Sequence, residues 1–295
     1  MVYTIENELL AITVSTRGAE TIKIVDKQNG RNLQWCGNSE VWNGHAPLLF
    51  PNTGRLTKDA LQAKGKKYQG IKHGFAHDME FRLVERSATS ITLELRDSAE
   101  TQELWPYEFV LQSKYLLTGE KLENVVTVLN PGDESLQFGM GFHPSFALPF
   151  DDEHPTEDYE LRFDTMESPL CVDTMPTGLL SGKSFYLGRN ISAIQLTDTL
   201  FDNDSLCMVN LQSKKIALTE KSTGRSITCS IEGFPYVLIW SAPTVPMRFI
   251  CIEPWKSLPS EENGTTEWEK KPCAAVLRKG ECFTAKLDIS YDYLV

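Results

Sequence analysis

Several things are scarce or missing in this 295-residue chain, and each absence excludes something. No apolar stretch approaches the roughly 20 residues that cross a bilayer. The start, MVYTIENELLAITVS, has no basic leader ahead of an apolar run and does not read as a signal peptide. The seven cysteines (Cys36, Cys171, Cys207, Cys229, Cys251, Cys273, Cys282) are odd in number and contain no CxxC pair. That argues against a disulfide frame and for reduced thiols in a cytoplasmic protein. Three N-x-S/T sequons, at Asn190, Asn203 and Asn263, are then chance matches. Basic charge is also in deficit: 29 Lys and Arg face 40 Asp and Glu, a net charge of -11. Such a balance opposes non-specific binding to nucleic acid or anionic lipid, so neither is an expected partner.

Helical periodicity is nearly absent; the best short candidate is 99–104, ending before Trp105–Pro106. There is no GxSxG elbow, no GxGxxG in Rossmann context and no HExxH zinc motif. TGLLSGKS (177–184) resembles a phosphate-binding loop, but only three residues separate its glycines, and no buried strand precedes it.

What the chain does have is period-two alternation in short runs. ITLEL sets Ile91, Leu93 and Leu95 against Thr92 and Glu94, and FVLQSKYLL sets Phe109, Leu111, Ser113, Tyr115 and Leu117 against Val110, Gln112 and Lys114. Similar strands are expected near 2–6, 8–15, 20–26, 78–86, 121–129, 135–148, 158–164, 191–197, 206–211, 214–220, 226–231, 235–240, 248–253 and 282–290. KQNG, TGE, NPGD, STGR and EGFP supply turns between them. Many strands joined by tight turns, with no linker, indicate one all-β antiparallel domain over residues 1–295. Two polar segments, 151–157 (DDEHPTE) and 255–272, read as loops that rim a cleft or as solvated connectors.

Four rigid segments carry the chemistry: PLLFPNTGRL (47–56), KHGFAHDMEF (72–81), GMGFHPSFALPF (139–150) and CIEPW (251–255). Each sets one reactive side chain, Arg55, His73, His143 or Glu253, among glycine, proline and aromatic residues that fix the backbone and supply flat walls. In GFHPSF, His143 and Ser145 share a strand face, with Gly141 leaving space beside them. Glu253 ends an apolar strand, where a carboxylate is costly unless paired, hydrogen-bonded or used, and where burial raises its pKa toward a general base's range. Trp255 offers a ring for the apolar face of a pyranose. The plainer readings are a core His143, a His73 bonded to backbone at a strand entrance, and a Glu253 salt bridge to Arg248 or Arg55. His73 and His77 are four residues apart, but Gly74 argues against a helix that would set both on one metal.

Together and in this order, the four segments resemble the aldose 1-epimerase (galactose mutarotase-like) family, most closely its LacX-type branch, from about residue 3 to the C-terminus. The resemblance implies a large antiparallel β-sandwich of the supersandwich type with an open carbohydrate cleft, a small-molecule sugar as partner, and no metal or other cofactor. It implies His143 as general acid and Glu253 as general base, with His73 and Arg55 holding the sugar. An aspartate in TLFDNDSLCM (199–208) completes the set, Asp204 ahead of Asp202. Where relatives carry arginine after HGFA, this chain has His77, a poorer anion clamp, which favours an unphosphorylated aldose. The implied reaction opens and recloses the pyranose between its two anomers, with a bell-shaped pH profile. Alternatives are a hexose-6-phosphate 1-epimerase, a non-catalytic sugar-binding protein, and a metal-dependent enzyme using His45, His73 and His77. A monomer or homodimer is expected.

Overall fold

A computed structural model describes residues 1–244 and 246–292. Short apolar alternations and tight turns produce strands, and every pairing between named strands is antiparallel. A 9-stranded sheet runs in the order Ile191–Gln195, Tyr159–Glu167, Lys215–Glu220, Ser226–Ser230, Cys282–Tyr291, Lys121–Leu129, Val110–Thr118, Ser90–Arg96 and Arg82–Arg86. An 8-stranded sheet runs Leu180–Tyr186, Leu170–Thr174, Leu206–Val209, Tyr236–Trp240, Phe249–Trp255, Gly141–Phe142 and Leu48–Leu49, and Ser145–Ala147 also pairs with Phe249–Trp255. One hydrophobic cluster lies between these sheets, taking Leu111, Tyr115, Val126 and Ile289 from the first and Val237, Ile239, Ile250 and Ile252 from the second. The chain is an antiparallel β-sandwich, as its alternation implies. A 3-stranded sheet at the N-terminus (Val2–Glu6, Leu10–Ser15, Thr21–Asp26) packs its Ile5, Leu10 and Ile12 into the same cluster.

Phe109, Leu111, Ser113, Tyr115 and Leu117 are all buried, as their alternation predicts. Glu94, expected on the polar face, is buried too; Arg82, Arg96 and Gln112 surround its carboxylate with hydrogen bonds. Among the described residues the single α-helix is Ala99–Leu104, held by a capping box between Ser98 and Thr101. The strand expected over 135–148 is broken into Leu136–Phe138, Gly141–Phe142 and Ser145–Ala147. Pro144 lacks the N–H that a continuous ladder needs there. The strands Ala60–Ala63, Lys66–Gln69, Leu170–Thr174 and Leu180–Tyr186 lack clear alternation and come from pairing alone. The loop-like TGLLSGKS (177–184) runs into the strand Leu180–Tyr186 and leads into no helix.

Candidate active site

The outer face of the 8-stranded sheet builds the site. Along Phe249–Trp255 the parity splits the side chains: Ile250 and Ile252 enter the sandwich core, while Phe249, Cys251 and Trp255 belong to separate clusters on the other face. Glu253 shares that outer parity. The register then brings its partner. Gly141 pairs with Trp255 and Ser145 with Cys251, so His143, midway between, lies beside Glu253. His143 Nε2 is 3.3 Å from Glu253 Oε2, and both side chains are buried. A gap in the sheet at Pro144 therefore turns two residues 110 positions apart into a pair.

Burial dominates their protonation. It pushes Glu253 well above the usual carboxylate range; the nearby Asp204 charge adds to this and Lys72 opposes it. It pushes His143 down to about 3, helped by the charge of Lys72 and by the neighbouring His77. Both charged forms are disfavoured, so the pair holds one proton between them and is neutral as a unit. His143 Nδ1 has no hydrogen-bond partner among the described residues.

His73 is oriented by its backbone. It takes a left-handed φ of 66°, and the following Gly74 (φ 74°) abuts Phe50 so closely that a Cβ there would collide with the Phe50 carbonyl. The Gly54 N–H donates to His73 Nδ1 at 3.1 Å. The remaining ring proton therefore sits on Nε2, leaving a neutral donor for a ligand. Burial holds this imidazole far below its ordinary pKa, with the facing His143, Lys72 and His77 adding to the effect. His73 meets the rings of His143 and Trp255 edge-on, at 5.5 and 5.6 Å between centroids.

These groups line a cavity of about 780 Å³ that also takes in His77, Asp204, Lys72, Trp42 and Trp240. Asp204 stands at its wall with a φ of 86°, its carboxyl raised by burial against the pull of Lys72, whereas Asp202 is exposed and does not line it. His77 Nε2 lies 3.3 Å from Asp78, beside the Arg17–Asp78 ion pair at 2.7 Å. Arg55 is placed differently from its expected role. Its guanidinium clasps Asp59 through two bonds of 2.6 Å, donates to the Thr177 carbonyl at 3.0 Å, and is absent from the lining. Trp255 belongs to the wall but is 2 % exposed, lying under Gly141 with Nε1 donating to the Phe142 carbonyl at 3.2 Å. The space beside Gly141 is filled by that indole. Glu253 pairs with neither Arg248 nor Arg55.

The aromatic cover was missed from sequence. Trp42 stacks on the His143 ring at 5.1 Å, and Trp240 meets it edge-on at 6.0 Å. The visible signal was two tryptophans, Trp35 and Trp42, among Gly and Asn directly before PLLFPN, with Trp240 closing YVLIW. Of the two polar loops, 255–272 contributes Pro259 to the wall and buries Trp268. The 151–157 loop does not line this cavity; Asp151 is tied to Arg225 and His154 instead. His45, His73 and His77 do not form a metal-ligand cluster among the described residues.

The sequence pattern of the family described as Aldose 1-epimerase matches residues 1–290. The chain belongs to the aldose 1-epimerase family. It is 30% identical over 281 residues to the plasmid-encoded Protein LacX of Lactococcus lactis subsp. lactis, covering 92% of this chain and 93% of that one. The chromosomal LacX of the same organism matches equally. Among solved structures, a galactose mutarotase related enzyme from Lactobacillus acidophilus superposes with a TM-score of 0.93 at 30% identity, over 99% of this chain and 97% of that chain. A galactose mutarotase-like protein from Lactobacillus casei gives 0.90 at 31% identity, over 98% and 99%. Within this aldose 1-epimerase fold, the His143–Glu253 pair occupies the middle of the outer sheet face.

Proposed function

We propose that the protein is an aldose 1-epimerase that interconverts the α and β anomers of an unphosphorylated aldose. The observation that carries this reading is the one-proton pair, His143 Nε2 and Glu253 Oε2 at 3.3 Å, on the floor of a sugar-sized cavity. Ring opening needs a proton removed from the anomeric hydroxyl and one delivered to the ring oxygen. A pair sharing one proton supplies both without exchange with solvent. A hydroxyl hydrogen-bonded to Glu253, with Lys72 nearby, favours the carboxylate and moves the shared proton to His143. Glu253 then takes the hydroxyl proton while His143 donates to the ring oxygen. After rotation about C1–C2, the reverse transfers close the ring on the other face. His73 Nε2–H and Asp204 bind sugar hydroxyls, and Trp42 excludes water from His143. Arg55 acts on the sugar only through the position of the neighbouring Gly54.

Four carboxyl groups line the cavity, Glu20, Asp78, Asp204 and Glu253, against the two cations Arg17 and Lys72, which supports a neutral substrate. One observation favours a sugar phosphate: Lys72 is exposed, lines the cavity and, among the described residues, makes no ion pair. Among the described residues no helix is long and apolar enough to cross a membrane, and all seven cysteines are free, consistent with a cytoplasmic protein. The chain is read as one domain over residues 1–295 that acts as a monomer or homodimer.

The test is saturation-transfer NMR of anomer exchange over a panel of aldoses with and without 6-phosphate. Faster exchange of free aldoses is expected, lost in Glu253→Gln. Preference for hexose 6-phosphates moves the reading to the phosphate enzyme, and sugar binding without exchange reduces it to a binding protein.

A further inference from the structure

Two triads of His, Cys, Asp or Glu come close enough to hold a metal ion among the described residues. One, Asp151 with His154 and Glu220, is already occupied by the Arg225 guanidinium, which bonds both carboxylates. The other joins Cys251 to His143 and Glu253, with one ligand atom from each within 4.8 Å of the others and all three residues buried. No cation fills it: among the described residues, neither Glu253 nor His143 pairs with lysine or arginine. The Cys251 and Glu253 side chains leave one strand face two residues apart, and His143 approaches from the neighbouring strand break.

We propose that Cys251 Sγ, His143 Nε2 and Glu253 Oε2 form a binding site for a thiophilic divalent cation such as zinc, and that this cation inhibits the enzyme by occupying its acid–base pair. The donor set suits zinc, which takes thiolate, imidazole and carboxylate at about 2.0–2.3 Å in a tetrahedron whose ligand atoms lie about 3.3–3.8 Å apart. The His143–Glu253 separation of 3.3 Å already meets that requirement. The sulfur needs a shift on the order of 1 Å, within reach of a rotation of its side chain. Binding converts the thiol to thiolate and expels the proton shared by His143 and Glu253, both protons leaving to solvent. The lone pairs needed for ring opening are then held by the metal. Because His143 and Glu253 line the cavity, the ion enters by the path proposed for the sugar, and a fourth ligand comes from that side. Thiol burial alone does not mark Cys251, since Cys171, Cys207 and Cys229 are also buried; its two partners do.

The identification of the pair as catalytic rests on the proposed function, so the experiment reads metal rather than turnover. Cobalt(II) is titrated into the purified, metal-free full chain, following the near-ultraviolet thiolate-to-cobalt absorption, and zinc binding is measured by calorimetry. One cobalt per chain with that absorption is expected, retained in Cys207→Ala and lost in Cys251→Ala. Outer-shell changes already weaken metal sites about 10- to 100-fold, so loss of a direct ligand should cost zinc affinity more than about 100-fold. Cys251→Ser serves where the alanine variant fails to fold. Wild type without the absorption overturns the proposal, as does a band that survives both Cys251 substitutions. If the binding appears while anomer exchange is absent, the metal site stands and the epimerase reading falls.

Discussion

Two of the histidine–carboxylate clusters, His143–Glu253 and Asp151–His154–Glu220, have opposite characters. In the first, His143 and Glu253 share the cavity floor with tryptophans, and burial drives both toward their neutral forms. In the second, at the end of the strand Lys215–Glu220 in the 9-stranded sheet, Glu220 is fully buried but accepts bonds from Tyr159, Thr223 and Arg225. There burial raises the Asp151 pKa, but bonds from Arg225 and His154 outweigh it and hold the group well below the usual carboxylate range. The bond to Asp151 and the Glu220 charge raise His154. Shared residue types and shared burial therefore decide little. Whether the charge finds a partner separates an ion network that stabilises the fold from a pair left neutral, to which the proposed reaction assigns proton transfer.

The comparison can be broken by exchange of roles. The largest expected effect is on turnover: Glu253→Gln or His143→Asn lowers kcat for anomer exchange by up to about 10^4-fold, measured by NMR, because a general acid or base is lost. Neither should lower the melting temperature, since each removes a buried group whose charged form is disfavoured. Full activity in either variant ends the assignment. Arg225→Ala does the converse. It leaves Glu220 buried without its cation and should cost about 3–5 kcal/mol in urea unfolding, with kcat per folded molecule unchanged. A loss of turnover in the folded fraction would show that the two clusters are coupled.

Titration sharpens the contrast further. With the pKa of His143 driven down and that of Glu253 driven up, kcat/KM should be level over the whole window between the two, a broad plateau in place of a narrow bell. A sharp optimum inside that window would contradict the shared-proton pair. Asp151 has a depressed folded pKa, so its stabilisation is present above the unfolded value and is lost as pH falls through the folded one. His154 has a raised pKa; its contribution is complete below about 6.5 and disappears as pH rises through the folded value. His154→Asn should flatten that upper limb in thermal melts across pH. The smallest effect expected is from Trp42→Ala, which admits water to His143 and moves its pKa upward toward the ordinary 6.5, visible as an acid limb entering the kcat/KM profile.

Much of this was legible beforehand where the signal is local. Period-two runs placed Val110–Thr118 and Lys121–Leu129 to within a residue or two, and the short helix candidate 99–104, ending before Trp105–Pro106, is the observed Ala99–Leu104. The HGF, GFHPSF and IEPW segments pointed to residues that now surround one cavity. Arg55 stands outside the cavity lining because arginine pairs with any nearby carboxylate, and Asp59 lies four residues on. Trp42 was invisible because a loop residue's contacts depend on where the loop returns. The acidic 151–157 segment read as a possible cleft rim, yet its charges answer Arg225, 74 positions beyond Asp151.

By itself the sequence determined the strand alternation, the turns, the family and the reactive residue types, because each depends on neighbours within a few positions. Only the tertiary structure decided that His143 faces Glu253 at 3.3 Å, that Cys251 stands beside them, and that burial leaves the pair neutral. Those properties arise from strand register and from desolvation by residues distant in the chain, and a pKa or a ligand geometry exists only once the folded protein has removed the water.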